Sequence, residues 1–108
     1  MHHNHHQSAA SLSLKQLNYL ATLALTLNFT QAAKACFVTQ STLSGGIQEL
    51  EKYLGVQLVE RNNKHVMLTP IGVDVVKRAN ALLGMGDDLV RTAANSAEPN
   101  KATLVLGA

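Results

Sequence analysis

The sequence contains no tryptophan, one cysteine and two prolines among 108 residues. A single cysteine excludes an intrachain disulfide and a zinc site built from cysteines, and its apolar helical surroundings favour Cys36 as a small core residue. Aromatic residues make up only 4%, so the core must be aliphatic, which favours helices over a β-sandwich. No apolar run approaches the ~20 residues that span a bilayer, and the N-terminus lacks the hydrophobic segment of a signal peptide. We therefore expect a cytoplasmic protein without a membrane partner.

Catalytic chemistry is also missing from the sequence. It shows no set of nucleophile, base and orienting group and no glycine-rich loop for a phosphate, so we expect no enzyme, no cofactor and no metal site in this chain. The formal charge of +2 is a weak basic bias that does not by itself select a nucleic acid as partner. Residues 1–11 are expected to be a disordered tail. In it, His2, His3, His5 and His6 can bind transition metals, but we interpret them as tail residues, native or added for expression.

Three predicted helices follow the tail. The spacing of apolar positions predicts a first helix over 14–27 and a second over 31–37, with Thr30 as the N-cap of the second. A third helix is predicted over 40–54, with Thr39 as its N-cap. Two short helices joined by a tight turn are the layout of a helix-turn-helix, whose second helix can enter the DNA major groove.

The third helix has a polar, small-residue face that we expect to point outward. Amide and hydroxyl groups there can hydrogen-bond base edges or phosphates, but an ordinary solvated face explains this helix equally well when it is taken alone. Glycine is unfavourable inside a helix, so a closely approaching backbone or ligand would explain Gly45 and Gly46. The candidate contact residues of this face are Gln40, Ser41, Thr42, Ser44, Gly45 and Gln48, together with the cap residue Thr39.

A β-hairpin is predicted over 56–69, where two short apolar runs flank a polar tip. In a winged helix this hairpin is the wing. Its tip residues Arg61, Asn63, Lys64 and His65 can reach phosphates or the minor groove. The alternative is a solvated loop.

A long helix is predicted from Pro70 to about Asn95, with Thr69 as its N-cap. Large residues recur on it every seven positions, and small residues form a second seven-residue series three positions behind. This pattern is typical of a coiled-coil seam between closely packed helices, for which a second copy of the same helix is the simplest partner. Packing on its own domain is the alternative. The predicted dimerisation seam consists of Val75, Ala79, Leu82, Gly86, Leu89 and Ala93, and Gly72 begins the small series.

The sequence thus predicts a mainly α fold, a winged helix-turn-helix followed by a long dimerisation helix. We assign residues 12–69 to a DNA-binding domain and 70–95 to the linker helix. Residues 96–108 are expected to form a hinge and the first strand of a following domain. On this interpretation the chain is the N-terminal piece of a longer protein.

The residues from about Leu14 to Leu89 resemble the LysR-type transcriptional regulators of bacteria. The matching pieces are, in chain order, Phe29-Thr30, Ala32-Ala33, Thr39-Gln40-Ser41, Leu50-Glu51, Leu54-Gly55 and the run LTPIG at 68–72. The run from Thr42 to Gly45, together with Cys36, is also similar to the peroxide-sensing branch of that family.

The resemblance implies a homodimer that binds partly palindromic double-stranded DNA operators, with tetramers common among full-length members. It also implies transcriptional regulation in response to a small molecule or a redox signal. Three residues depart from the family pattern: Ser41 stands where proline is usual, Gly46 where glutamine is usual, and Val59 where phenylalanine is usual. Because the glutamine at position 46 is missing, we expect a changed sequence preference.

On this hypothesis the polar face of the third helix contacts the major groove and its flanking phosphates. Thr30 and Gln31 are expected to hold a phosphate through backbone amides and a hydroxyl at a helix N-terminus. The rival interpretation is a winged-helix module for protein interaction or dimerisation that does not bind DNA. The low net charge and the acidic Glu49 and Glu51 on the third helix favour that rival slightly.

Overall fold

The structure is a computed structural model that describes residues 8–62 and 65–96. Over these ranges the chain forms four α-helices and an antiparallel two-stranded sheet, and a 3-10 turn precedes them. The elements are the 3-10 turn Ala9–Ser11, α1 (Leu14–Thr26), α2 (Phe29–Ala35), α3 (Gln40–Leu54), β1 (Val59–Arg61), β2 (Val66–Leu68) and α4 (Pro70–Ser96). The predicted order of helix-turn-helix, wing and long final helix is confirmed.

The core is aliphatic, as the scarcity of aromatic residues requires. Leucine and isoleucine side chains of α1 and α3 interlock, and two alanines bring α2 against them, because a small side chain allows close helix contact. Tyr19 of α1 is the aromatic ring among the buried residues. The fully buried large side chains are Leu20, Leu23, Leu43, Ile47, Leu50, Leu58 and Val59, and Ala32 and Ala33 are buried beside them.

The start of α2 differs from the prediction. Asn28, not Thr30, is the N-cap, since its Oδ1 accepts a hydrogen bond of 2.9 Å from the backbone N–H of Gln31. Leu27 takes a left-handed backbone with φ of 49°, which ends α1 and lets the chain turn directly into α2. At its other end α2 stops at Ala35, two residues before the predicted end, and Cys36 follows half-buried and packed against the core.

The N-terminal segment is ordered closer to the start than predicted. Ser8 exchanges two hydrogen bonds with the Tyr53 hydroxyl of α3: its N–H donates over 2.9 Å, and its carbonyl oxygen accepts over 2.7 Å. Leu12 also packs against the core. This corrects the expectation that all of residues 1–11 form a disordered tail. Its histidines lie in residues 1–7, outside the described residues.

The base of the wing joins α3 to α4 through the backbone of Leu58. The N–H of Leu58 donates to Glu51 Oε2 over 2.8 Å, and its carbonyl oxygen accepts from the Thr69 N–H over 3.0 Å. Thr69 is the N-cap of α4 as predicted, because its Oγ1 accepts from the Gly72 N–H over 2.9 Å. The same hydroxyl donates to the Gln57 carbonyl oxygen over 2.7 Å.

The long helix α4 begins at Pro70 and continues to Ser96, so it passes through the start of the predicted hinge. It packs against α1, and its residues at the core, Val75, Val76 and Ala79, lie in its first half. The rest of the predicted hinge and the predicted strand at 103–106 lie outside the described residues. Among the helices that are described, none is both long and apolar enough to cross a bilayer.

Gly72→Ala should destabilise the fold, because a Cβ at this position would lie 2.1 Å from the carbonyl oxygen of Leu58. Backbone cannot yield as a flexible side chain can, so we expect the free energy of unfolding to fall by about 1–3 kcal/mol. Urea denaturation followed by circular dichroism measures the change. The matched control is Gly84→Ala on the same helix, where a Cβ meets no atom within 4 Å. That variant should gain roughly 0.5–1 kcal/mol. A gain in both variants would contradict the close approach of α4 to Leu58.

Candidate nucleic-acid interface

The outward face of α3 is polar along its first nine residues and opposes a fully buried apolar face. Leu43, Ile47 and Leu50 point into the core, so the helical period turns the intervening polar residues outward. We name this outward surface the recognition face and define it by the five polar residues Gln40, Ser41, Thr42, Ser44 and Gln48 with Gly45 among them. The geometry thus brings together the contact residues that were predicted on this helix.

The start of α3 is fixed by Thr39, which is exposed and serves as its N-cap as predicted. Thr39 Oγ1 accepts from the Thr42 N–H over 3.1 Å and donates to Thr42 Oγ1 over 2.9 Å. The hydroxyl proton of Thr39 is therefore used within the cap. Thr42 keeps its own hydroxyl proton for an outside acceptor.

Thr30 orients a residue of the recognition face. It lies in the first turn of α2, and its Oγ1 donates to Gln40 Oε1 over 3.1 Å. The Gln40 Nε2 makes no hydrogen bond within the described residues, so two N–H donors remain at the helix start. The backbone N–H of Gln31 is held by Asn28, which corrects the prediction that this amide holds a phosphate.

Gly46 is half-buried and lies at the groove between α1 and the recognition face. A Cβ built on it would lie 2.7 Å from Cδ2 of the Tyr19 ring. The glycine therefore makes room for a buried tyrosine of α1. This packing explains the glycine, while the expected loss of a polar contact at position 46 stays a prediction.

A groove of about 510 Å³ lies between α1 and the recognition face. Sequence reasoning missed it, because its two walls come from distant parts of the chain. Lys15 in the first turn of α1 brings a positive charge to this groove, and Glu49 of α3 brings a negative one. Ser41 and Thr42 line the same groove. Lys15 could have been identified from the sequence by its position two residues after Ser13, the N-cap of α1.

The wing places Arg61 at the end of β1, beside the start of α2. Its guanidinium carbon lies 5.0 Å from the centre of the Phe29 ring, a cation–π distance that holds an exposed charge in position. The tip closes through Asn62, whose Oδ1 accepts from the His65 N–H over 2.7 Å. His65 is exposed, and the predicted contact residues Asn63 and Lys64 lie outside the described residues.

The two acidic residues of α3 have different surroundings. Glu51 turns toward the wing, where its Oε2 accepts from the N–H groups of Leu58 and Val59 over 2.8 and 3.1 Å. Glu49 is exposed and accepts from Gln16 Nε2 over 3.2 Å. Glu51 therefore stabilises the fold and places no charge on the recognition face. It no longer favours the rival interpretation of a module that does not bind DNA.

The predicted seam on α4 divides into two parts. Ala79 is 1% exposed, and Val75 packs against the core of the same chain. The structure thus corrects the assignment of Ala79 to an intermolecular seam, since the side chain is already buried in the core of its own chain. Beyond this point an exposed apolar surface remains, which we name the α4 stripe and define as Leu82, Met85, Gly86, Leu89, Val90 and Ala93.

Charges surround the recognition face but none lies on it. The described cations of the helix-turn-helix and wing are Lys15, Lys34, Lys52 and Arg61, all exposed. On α4, Arg78 pairs with Asp74 and Arg91 pairs with Asp88. Within the described part of the chain, no three His, Cys, Asp or Glu side chains lie together as metal ligands do.

Known proteins with a similar sequence are bacterial transcriptional regulators. Residues 4–73 match the family described as bacterial regulatory helix-turn-helix protein, lysR family. The HTH-type transcriptional regulator EstR of Acinetobacter baylyi is 56% identical over 99 residues, which are 92% of this chain and 33% of that protein. The hydrogen peroxide-inducible genes activator of Pectobacterium carotovorum is 36% identical over 96 residues, 89% of this chain and 32% of its own length.

A solved structure shows the same fold bound to DNA. The complex of the BenM DNA-binding domain with catB site 1 DNA matches with a TM-score of 0.76 and 34% identity, covering 81% of this chain and 97% of the domain. The present chain spans about a third of the length of the curated relatives it matches.

Glu51→Ala should lower the free energy of unfolding by about 1.5–3 kcal/mol, because two backbone N–H groups at the wing base lose a charged acceptor. Urea denaturation measures the loss. Glu49→Ala is the matched control on the same helix, and its exposed position predicts a change within about 0.5 kcal/mol. Equal effects of the two substitutions would show that Glu51 does not support the wing.

Proposed function

The chain belongs to the LysR family of bacterial regulatory helix-turn-helix proteins, and we propose that it reads a partly palindromic DNA operator as a homodimer. It is the helix-turn-helix domain of that family, so the proposal concerns how this particular chain contacts DNA and pairs with a second copy.

The observation that carries the proposal is the recognition face. It is an uncovered row of amide and hydroxyl groups, held rigidly by a buried face of leucine and isoleucine. Such groups hydrogen-bond base edges in the major groove. The solved complex of the BenM DNA-binding domain with DNA, at 34% identity, supports the same orientation for this chain.

Each structural element has a proposed role in DNA binding. Gln40, Ser41, Thr42, Ser44 and Gln48 contact base edges and flanking phosphates, and Gly45 lies among them. Thr39 fixes the helix start, and Thr30 orients Gln40. Arg61, Asn63, Lys64 and His65 supply the wing contacts, and Lys15 and the side chain of Gln31 lie beside the phosphates. The groups that touch phosphate position the domain, while the groups that touch base edges select sequence.

The α4 stripe is the proposed dimer contact. Leu82, Met85, Leu89 and Val90 are each 42% exposed or more, and a Cβ at Gly86 would meet no atom within 4 Å. Small residues between large ones let two helices approach closely. Two copies related by a twofold axis would place their recognition faces about one helical turn of DNA, or a multiple of it, apart.

This chain covers about a third of the length of its curated relatives. The proposal therefore extends to a longer protein that contains it. Following the family, we propose a bacterial transcriptional regulator that acts in the cytoplasm on the nucleoid. A hinge and a strand within 96–108 would begin an effector-binding domain, and the full-length protein would form tetramers. No enzymatic role is proposed.

Selection of duplexes from a random library tests the proposed function directly. The 108-residue chain should enrich a partly palindromic sequence, and its affinity for the selected duplex should fall steeply with salt. Binding that is equal on selected and scrambled duplexes would contradict sequence-specific recognition. No salt-dependent binding to any duplex would favour a protein-interaction module.

Arg61→Ala should weaken binding to selected and random duplexes alike, because on this proposal Arg61 contacts phosphate and not bases. The slope of log K against log salt concentration should become shallower by about 0.9 for each bound copy. Fluorescence anisotropy at several salt concentrations measures the slope. The control is Arg91→Ala, since Arg91 lies about 32 Å along α4 from Pro70. An unchanged slope for Arg61→Ala would remove Arg61 from the interface.

Leu89→Glu should dissociate the dimer without unfolding the chain, because the side chain is 69% exposed in the single copy and would bury a charge in the seam. Sedimentation velocity measures the assembly state. Asn80→Glu is the control, since position 80 is exposed and lies about 200° around the helix from Leu82. A dimer that persists in Leu89→Glu would place the contact elsewhere.

A further inference from the structure

Gly45 is a glycine that the fold itself does not require. It lies inside α3, where glycine is the least favourable residue after proline, yet a Cβ built on it meets no atom within 4 Å. Gly84 and Gly86 of α4 share this property, whereas three other glycines have a structural reason. Gly46 and Gly72 are forced by close packing, and Gly55 has a φ of 75° that favours glycine. The cost of Gly45 to the helix is therefore not offset by any contact within the described chain.

The position of Gly45 is the middle of the recognition face. Together with Gln40, Ser41, Ser44 and Gln48 it lines a shallow concavity of about 400 Å³. Gln40 and Gln48 are eight residues apart, which is about 12 Å along the helix axis. That distance equals about three to four base steps of roughly 3.4 Å. The missing side chain thus lowers the surface between two amide side chains that can each contact a base.

We propose that Gly45 is the point of closest approach between α3 and DNA, where base edges of the major groove fill the space that a side chain would occupy. The proposal rests on the proposed function, because it needs α3 in the major groove. Sequence recognition then depends on the absence of a side chain at position 45, with Gln40 and Gln48 reading the base pairs on either side.

Gly45→Ala in the full 108-residue chain should change stability and DNA binding in opposite directions. Alanine is a better helix former and meets no obstacle in the free protein, so Tm should rise by roughly 2–8 °C. The added methyl group should weaken binding to the duplex selected by the wild-type chain by about 10- to 100-fold. Binding to a random duplex, where no base is read, should stay within about twofold. Differential scanning calorimetry and fluorescence anisotropy measure the two effects.

Gly84→Ala is the matched control for Gly45→Ala. Like Gly45, it is a helical glycine with no atom within 4 Å of a built Cβ. It is exposed, whereas Gly45 is half-buried, and it lies about 200° around α4 from Leu82. Its Tm should rise similarly, with unchanged affinity for both duplexes. This control separates the effect of a more stable helix from the effect of a methyl group at the DNA.

Three results would overturn the proposal. If Gly45→Ala binds the selected duplex as tightly as the wild-type chain, no base edge occupies that space. If it loses affinity equally for selected and random duplexes, the closest approach is to the DNA backbone and not to bases. If the wild-type chain itself does not distinguish selected from random duplexes, the proposed function fails and this inference fails with it. The first two results leave the proposed function intact.

Discussion

The contact between α4 and the backbone of Leu58 is the constraint on which the rest of the structure depends. Gly72 lets the first turn of α4 lie against the Leu58 carbonyl oxygen, and Thr69 binds the same oxygen through its N–H. From the other side, Glu51 of α3 binds the Leu58 N–H. One peptide segment therefore fixes α3, the wing and α4 to each other. Any contact that orients α4 also orients the recognition face.

Helix periodicity and capping were enough to predict the order of elements, because local chemistry determines them. Thr39 and Thr69 cap helices as predicted. The predicted start of α2 was wrong because Asn28 and Thr30 are both good N-cap residues. The left-handed backbone at Leu27 decides between them. Small residues that recur every seven positions on α4 could pack equally well against α1 of the same chain or against a second copy of α4. Sequence alone therefore could not assign Ala79 to the core.

The outward residues of α3 were predictable, because a buried stripe of Leu43, Ile47 and Leu50 leaves only one face free. The roles of Gly46 and Glu51 were not predictable, since their partners lie far away in the sequence. Gly46 accommodates the Tyr19 ring, and Glu51 binds the wing base. A residue that the sequence assigns to a binding surface can thus have a packing role instead. Only the tertiary contacts show which of the two roles it has.

An uncharged recognition face has consequences for how tightly a single copy can bind. The commonest specific contact to guanine uses Arg or Lys, and neither is present among the residues that define the face. Phosphate attraction must come from cations around it, of which Lys15, Lys34, Lys52 and Arg61 lie in the described part of the chain and Lys64 of the wing is proposed. These charges would attract DNA of any sequence, while the uncharged face would supply the hydrogen bonds that select bases. Pairing through the α4 stripe would join two such faces on one operator, so the second face binds at a high effective concentration. On this argument the apolar residues of α4 would contribute to affinity through pairing, while the polar residues of α3 would select sequence.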